Sequence, residues 1–217
     1  MKIIKKDIMA LCLMITIPLS NALYIILNHG KRGAYSLMTD IDRGIPFLKI
    51  FVIPYIAWYL FLFCTFVYFC LKDREVYYKT LLSLNLGLLV CYAVYFFYQT
   101  TVPRPLLAEE DILTRMVAWV YATDQPFNCF PSIHSLTSYL MFKGIRHSHI
   151  RNKQNQLVIS SIAFTIILST LFIKQHAILD AIAAIFLGEV SFNLVNSLFQ
   201  RQKERNGHYI PDVKKNY

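Results

Sequence analysis

Residues 48–71 read LKIFVIPYIAWYLFLFCTFVYFCL, and Lys49 is the only charged side chain among these 24 positions. A helix of about 20 mostly apolar residues is long enough to cross the roughly 30 Å hydrocarbon core of a bilayer. The stretch therefore predicts a membrane-spanning helix. The whole chain agrees with this interpretation, because 56% of its 217 residues are hydrophobic and only 16% are charged, which is too apolar for an ordinary soluble domain.

Similar apolar runs on both sides of this stretch predict about six spans. We place them at residues 8–27, 48–71, 76–97, 132–142, 156–173 and 176–199. The first run follows three lysines and so resembles a signal peptide, but it continues to Leu27, which favours a retained span. The fourth run is short, and it requires Lys143 and Arg146 to extend toward the membrane surface at its end. The predicted fold class is all-α, a polytopic membrane protein with one integral membrane domain over residues 1–217 and a polar cytoplasmic tail at 200–217.

The distribution of basic residues predicts the orientation of these spans. Of the 22 lysines and arginines, 15 fall on the side of the two termini and seven on the opposite side. Because cytoplasmic loops carry the excess of Lys and Arg, both termini are predicted to lie in the cytoplasm, as part of a cell-membrane protein. The same loop charges explain the net charge of +9 without nucleic-acid binding, since the basic residues are scattered between apolar runs. The five cysteines have neither a disulfide pattern nor metal-ligand spacing.

Two long loops are predicted on the non-cytoplasmic side. In the loop between the third and fourth spans, Glu109, Glu110 and Asp111 precede an apolar stripe of helical period that ends near Val120. Acidic side chains suit the positive N-terminal end of a helix, so this segment predicts an interfacial helix. The helix either borders an entrance for lipid or covers the bundle without contact to a substrate. We assign no chemistry to the other loop, residues 31–49.

His176 and Asp180 lie where the last apolar run begins. A separation of four residues places both side chains on one face of a helix, where the carboxylate accepts a hydrogen bond from one ring nitrogen of the imidazole. The other ring nitrogen then keeps its lone pair, and the histidine can act as a nucleophile or base with a fixed tautomer. The alternative is a structural role as a self-satisfied polar pair near a helix end. Ionisable groups so close to lipid are costly, which favours a function.

Pro131 and Ser132 precede the fourth apolar run and predict a helix start. The Ser132 hydroxyl can cap the helix, and the free backbone N–H groups of a first helical turn bind phosphate. His134 lies in that turn and is placed to act as a general acid that donates a proton to a departing alkoxide. A purely structural histidine is the alternative. The capping serine and the location on the same side as His176 favour chemistry.

Arg104 lies between Pro103 and Pro105 at the outer end of the third span. Proline restrains the backbone on both sides, and a guanidinium on so rigid a turn fits two phosphate oxygens at once. The alternative is an interfacial arginine paired with Glu109 or Glu110.

Lys174, two residues before His176, is either a second cation for a phosphoryl group or an interfacial anchor. Arg104, His134, His176 and Asp180 all fall on the predicted non-cytoplasmic side. Spans three, four and six must therefore cluster if these residues form one site.

Together these residues resemble the three motifs of the type 2 phosphatidic acid phosphatase superfamily. The family motifs are Lys, six residues and Arg-Pro; Pro-Ser-Gly-His; and Ser-Arg, five residues, His, three residues and Asp. They correspond here to residues 97–105, 131–134 and 169–180. Motif order, spacing and the six-span layout match over nearly the whole chain.

The resemblance implies a mechanism that needs neither a metal nor another cofactor. In this mechanism His176 attacks phosphorus, Asp180 orients it and His134 protonates the leaving oxygen. The resemblance also implies that Arg104 and Ser132 hold the phosphate oxygens.

Three residues depart from the family motifs. Phe97 replaces the lysine, Ile133 the glycine and Thr170 the arginine. Two cations that bind phosphate in the family are therefore missing, and Lys174, or else the neutral Gln99, is the candidate to replace them. The departures resemble the branch that includes inositol phosphorylceramide synthases.

The favoured function is hydrolysis of a lipid phosphate monoester or diphosphate at the outer membrane face through a phosphohistidine. Candidate substrates are phosphatidate, phosphatidylglycerophosphate and isoprenyl diphosphates. The first alternative is a phosphotransferase that moves a phospho-head group to inositol or a lipid alcohol. The second is a catalytically idle lipid-binding or transport protein. Glu189 in the last span is the residue that a transport role would use, although a satisfied helix contact explains it as well.

Overall fold

The computed structural model describes residues 2–30, 33–108 and 111–207, with side chains from Lys6 onward. This part of the chain is helical, and the predicted all-α class is confirmed. The helices are α1 (Lys2–Cys12), α2 (Thr16–Leu27), α3 (Asp40–Gly44), α4 (Val52–Lys72), α5 (Arg74–Phe97), α6 (Ile112–Thr123), α7 (Ile133–His147), α8 (Lys153–Phe172) and α9 (Ile178–Arg205). Single 3₁₀ turns at Leu13–Ile15 and Lys49–Phe51 join α1 to α2 and lead into α4.

Five helical stretches of the described chain are long and apolar enough to cross a membrane. They are Lys6–Leu27, Lys49–Lys72, Arg74–Phe97, Lys153–Phe172 and Ile178–Arg205. Four of them match predicted spans to within three residues at each end, and the last ends six residues later than predicted. The last span begins later than predicted, because His176 precedes α9 and lies in a turn. Residues 200–205 of the predicted polar tail continue α9, and residues 208–217 lie outside the described residues.

The predicted fourth span is α7, which lies inside the bundle. Its 15 residues rise about 22 Å along the helix axis, less than the roughly 30 Å of a hydrocarbon core. It packs against α4, α5, α8 and α9, and Leu136, Leu140, Met141 and Ile145 are fully buried. The surrounding helices therefore shield α7 from lipid, so it does not need the length of a full span.

Glycine permits the closest approach between α7 and its neighbours. A Cβ atom added at Gly144 would lie 2.7 Å from the Phe69 ring and 2.8 Å from Thr80 Oγ1. At Gly87 on α5 it would lie 2.9 Å from the Leu136 side chain. Small residues let helix backbones pack closely in membranes, and here they hold α7 firmly in the centre.

The end of the bundle where α4 meets α5 is held together by one buried carboxylate. Asp73 caps α5 by accepting from Val76 N at 3.1 Å, and it also accepts from Ser148 Oγ at 2.6 Å and His149 N at 3.0 Å. Burial opposes the ionisation of Asp73, but these hydrogen bonds hold its pKa below the ordinary value. The carboxylate thereby connects the start of α5 to the loop that follows α7.

The opposite end of the bundle, where α5 and α8 end and α7 and α9 begin, is called the site end below. Its loops are joined by isolated β-bridges from Thr100 to Tyr35 and Asn128. The predicted helix in the loop between the third and fourth predicted spans is confirmed as α6, which Asp111 caps by accepting from Leu113 N and Thr114 N at 3.0 and 3.2 Å. Glu109 and Glu110 lie outside the described residues. The site end therefore has a covering of ordered loops and one short helix.

Candidate active site

The structure brings His134 and His176 together at the site end. They are 42 positions apart in sequence, yet their ring centroids are 5.8 Å apart and both side chains are buried. His134 is in the first turn of α7, and His176 is in the turn before α9. The N–H of Ser132 donates to the Asp180 carbonyl oxygen at 3.1 Å, which joins the starts of these two helices.

The His176 ring is oriented by a backbone carbonyl. Nδ1 lies 2.9 Å from the Cys129 oxygen and 3.5 Å from Asp180 Oδ2. Because a carbonyl oxygen only accepts, a hydrogen bond here requires the proton on Nδ1 and leaves the lone pair on Nε2. Cys129 was not identified from the sequence, since a backbone acceptor leaves no residue-type signal.

The Asp180 carboxylate accepts its hydrogen bond from a backbone N–H, whereas the prediction was a hydrogen bond from the His176 ring. The prediction that His176 and Asp180 share one helix face is wrong, because α9 begins only at Ile178. Asp180 Oδ2 accepts from the Ala177 N–H at 2.8 Å and so closes the turn that carries the histidine. Its negative charge still lies close enough to Nδ1 to stabilise positive charge on the ring.

His134 is held between two aromatic rings of α4. Its ring centroid is 4.4 Å from that of Tyr55 and 4.3 Å from that of Trp58. The predicted helix start is confirmed, because Ser132 is the N-cap of α7 and accepts from Ser135 N at 3.3 Å. These contacts fix both the ring and the helix terminus that presents it.

Asp124 stabilises this aromatic support from the end of α6, and sequence analysis missed it. Its Oδ2 accepts from the Tyr55 hydroxyl at 2.9 Å, and its Oδ1 accepts from Asn28 Nδ2 at 3.2 Å and from the Tyr24 hydroxyl. The carboxylate thus joins the ends of α2, α4 and α6 beside His134. The available signal was weak, an acidic residue directly after an apolar helical stripe.

Arg104 is bound to the C-terminal end of α6. Its Nη1 donates to the Tyr121 carbonyl oxygen at 2.8 Å, its Nη2 donates to the Asp124 carbonyl oxygen, and the guanidinium lies 4.3 Å over the Tyr121 ring. Carbonyl oxygens at a helix C-terminus attract cations. The same Nη2 donates to Gln175 Oε1 at 2.7 Å, which places the arginine beside the residue that precedes His176.

Gln175 is a second polar residue that sequence analysis missed, although its position next to His176 was a usable signal. It is 3% exposed. Gln175 Nε2 and Arg104 Nε are buried and have no hydrogen-bond partner among the described residues. Buried donors are nearly always paired in native proteins, so two unpaired donors on side chains that contact each other, one of them adjacent to His176 in sequence, suit an anionic ligand.

The two residues predicted to replace the missing cations have other contacts. Lys174 Nζ donates to the carbonyl oxygens of Asp42 and Ile45 at 3.0 and 2.5 Å, and its backbone has a left-handed φ of 55°. Gln99 Nε2 donates to the Leu27 carbonyl oxygen at 2.7 Å. Both side chains therefore stabilise loops of the site end.

Thr170, at the position of the family arginine, contributes through its backbone. Its carbonyl oxygen accepts from Gln175 N at 2.9 Å and from His176 N at 3.1 Å. Its side chain is fully buried and donates to the Ile167 carbonyl oxygen at 2.7 Å. Thr170 thus shapes the turn that carries the histidine.

The loop to which the sequence assigned no chemistry contacts this turn through Asp42. The Asp42 side chain is buried, and its Oδ1 accepts from Ile178 N at 2.7 Å while its Oδ2 accepts from Thr39. Burial favours the neutral acid, but the hydrogen bonds from Thr39 and Ile178 hold the pKa of Asp42 below its ordinary value. Since Lys174 also binds this loop, the turn around His176 is held on both sides.

One cluster in the site has metal-binding residue types. Cys129, His176 and Asp180 each offer a ligand atom, and these atoms lie within 4.8 Å of one another. Two of the candidate ligand atoms, His176 Nδ1 and Asp180 Oδ2, already have backbone hydrogen-bond partners. Burial raises the pKa of the Cys129 thiol well above its ordinary value. The cluster therefore fits histidine chemistry better than a metal centre.

Comparison with known proteins identifies one family. A family model described as the PAP2 superfamily matches residues 77–204, more than half of the chain. No curated protein and no solved structure matches the chain. The matched range contains Arg104, both site histidines, Gln175 and Asp180, while Asp42 and the aromatic residues of α4 precede it.

Proposed function

The chain belongs to the PAP2 superfamily, and from this premise we propose that it transfers the phosphoryl group of a lipid phosphate to water at the site end. Members of this superfamily are generally phosphatases or phosphotransferases. The observation that carries the proposal is the pair of buried histidines with centroids 5.8 Å apart, one with its Nδ1 on a carbonyl oxygen. Apolar helices place this pair in a bilayer protein, where a lipid is the natural substrate.

The proposed reaction has two steps. First, Nε2 of His176 attacks phosphorus, the bond from phosphorus to the alkoxide oxygen breaks, and His134 gives that oxygen a proton. In the second step water attacks the phosphohistidine, His134 takes a proton from the water, and inorganic phosphate leaves with His176 restored. Asp180 stabilises the positive charge on the imidazole in both steps.

The phosphate oxygens are proposed to bind at the start of α7 and beside Gln175. Ser132 and the first N–H groups of α7 provide one set of donors. Arg104 Nε and Gln175 Nε2 provide the other, which offsets in part the family cations that Phe97 and Thr170 replace. Lys174 would add positive charge from the adjacent loop without a direct bond to phosphate.

The proposed location of the site is the non-cytoplasmic face of the cell membrane. The excess of Lys and Arg falls on the side of the termini and opposite the site end, which supports cytoplasmic termini. A lipid phosphate in the outer leaflet would then meet His176 at the level of its head group.

Two alternatives differ from hydrolysis in their use of the site. Transfer to inositol or a lipid alcohol would share the attack on phosphorus, and the departures at Phe97, Ile133 and Thr170 favour it. An idle transport protein would use Glu189, but Lys143 Nζ and the Tyr139 hydroxyl donate to that carboxylate at 2.7 and 2.5 Å. Because Glu189 is satisfied by these contacts, it gives transport little support.

The proposal predicts phosphate release without added metal. Purified protein in detergent with a chelator is expected to release inorganic phosphate from at least one of phosphatidate, phosphatidylglycerophosphate and an isoprenyl diphosphate. The His176→Ala protein serves as the blank. Parallel reactions with inositol or a lipid alcohol test transfer, since a phosphomonoester of the added alcohol in place of free phosphate would support the phosphotransferase. If neither product formed from any substrate, the proposal would be wrong.

Asp42 is expected to act as a positioning residue in this reaction. Asp42→Ala removes a helix N-terminal acceptor worth about 1–2 kcal/mol, so a fall in kcat of about tenfold is expected with KM nearly unchanged. Asp42→Asn keeps an acceptor for the Ile178 N–H and is expected to recover most of the activity. Asp40→Ala is the control, since the Asp40 side chain is 94% exposed. Equal kcat in the Asp40→Ala and Asp42→Ala proteins, both folded by thermal unfolding in detergent, would refute this role.

A further inference from the structure

An apolar groove of about 640 Å³ lies between the N-terminal helices and α4 and reaches α7. Met14 and Ile17 line one wall, Trp58 and Leu62 line the facing wall, and Ile133 lies at the α7 side. The volume falls within the range of sites that bind small ligands. The groove is separate from the polar atoms described above, but it begins beside them.

Two contacts connect the groove to the histidine pair. Trp58 lines the groove and its ring centroid is 4.3 Å from that of His134. Ile133, which also lines it, directly precedes His134 in the first turn of α7. The indole Nε1 of Trp58 donates to Thr137 Oγ1 at 2.8 Å, so the polar atom of the ring is already satisfied.

The length of the groove matches one leaflet of a bilayer. Trp58 and Val67 both line it, and nine residues of α4 rise roughly 13 Å. Half of a hydrocarbon core of roughly 30 Å is about 15 Å. On α4 the groove begins at Trp58, six residues inside the helix and beside His134, and ends at Val67. It is therefore about long enough for one lipid tail whose phosphate lies at the histidine pair.

The groove also lies where a lipid tail can reach it from the side. Only 11% of the apolar window of the Lys6–Leu27 span is buried inside the protein, so the stretch that forms one wall leaves most of its residues exposed at a surface where lipid would lie. An apolar cleft offers water few hydrogen-bond partners, and in a membrane the molecules available to occupy it are hydrocarbon chains.

We propose that this groove binds the hydrocarbon tail of the lipid phosphate while the phosphate lies at His176. The inference rests on the proposed function and adds a chain-length preference to it. Ile133 closes the groove beside His134, at the position where the family motif has glycine. Its side chain would hold the tail away from the first turn of α7 and leave the N–H groups there for phosphate.

The test is a chain-length series of butyl, octyl and dodecyl phosphate together with phosphatidate, at one fixed detergent concentration. Ile17→Trp fills the groove from α2, and Leu62→Phe fills it from α4. For either variant, kcat/KM for dodecyl phosphate is expected to fall about tenfold or more, because the methylene groups of the long tail can no longer be buried in the groove. The kcat/KM for butyl phosphate is expected to change by less than about twofold. Leu19→Trp is the matched control, since Leu19 is on the same helix, 71% exposed and outside the groove.

The outcomes separate the groove from the chemistry. If the unmodified protein released no phosphate from any member of the series, the proposed function would fail. If it were active but Ile17→Trp and Leu62→Phe kept the chain-length profile of Leu19→Trp, the groove would be filled by bulk lipid and the inference would be overturned. An equal loss for butyl and dodecyl phosphate would also overturn it, because a general disturbance of the fold would explain that result.

Discussion

His176→Ala is expected to lower phosphate release by about 10³-fold or more, because removing a nucleophile leaves only the background rate that the rest of the site supports. The loss should be the same for every substrate, whatever its leaving group or tail. KM should change little, since the phosphate contacts proposed for Arg104, Ser132 and Gln175 remain. Initial rates of phosphate release at saturating substrate measure this effect.

The matched control for this variant is His147→Ala. His147 is at the other end of α7, where it lies exposed with its ring centroid 4.9 Å from that of Phe192. Its removal is expected to leave turnover unchanged. Comparable losses in the two variants would mean that neither histidine acts on phosphorus, and full activity in His176→Ala would remove the basis of the proposed function.

His134→Gln is expected to lower turnover of alkyl phosphates by about 10²- to 10⁴-fold, the usual contribution of a positioned general acid. Glutamine occupies similar space between Tyr55 and Trp58 but cannot protonate a departing alkoxide. An aryl phosphate such as p-nitrophenyl phosphate has a leaving group that needs little protonation. The first step with this substrate should therefore lose much less.

The leaving-group comparison separates general-acid catalysis from a structural effect. The ratio of kcat/KM for alkyl and aryl phosphates, which reports the first step alone, should fall steeply in His134→Gln and stay constant in Trp58→Phe, which keeps an aromatic ring beside His134. If His134→Gln lowered kcat/KM for both substrates by the same factor, His134 would have to be reassigned to phosphate binding or to packing.

The length of the apolar runs made most of the fold predictable. A single run of about 20 apolar residues can pair its backbone N–H and C=O groups in lipid only as a helix, so the positions of the spans follow closely from the sequence. Ser132 and Asp111 marked two helix starts correctly because capping depends on local side chains. The centre of the bundle could not be derived in this way, since the shielding of α7 depends on which helices surround it.

The turn before α9 shows why local patterns failed near the site. No glycine or proline interrupts residues 173–180, so helical spacing suggested one face for His176 and Asp180. The chain instead turns at Lys174, whose left-handed backbone is stabilised by carbonyl oxygens of the α3 loop. Asp42, 136 residues before Ile178, supplies another part of that support. Such long-range contacts have no local signature.

The chemistry-bearing side chains were easier to identify than their partners. His134, His176 and Arg104 were identified as candidates because few other residue types can handle phosphate at the end of an apolar run. The orientation of His176 and Arg104 comes from the backbone oxygens of Cys129 and Tyr121, which any residue could provide. For this reason the sequence indicated the candidate residues but not the hydrogen bonds that set their geometry.

The most direct measurement is to trap the phosphorylated protein. The lipid phosphate that releases phosphate fastest, labelled in its phosphate group, is mixed with purified protein and quenched in alkali, because phosphohistidine is labile in acid. Peptide mapping is expected to find the label on His176, with none bound in His176→Ala. A label on another residue, or phosphate release that persists in His176→Ala, would contradict the proposed mechanism.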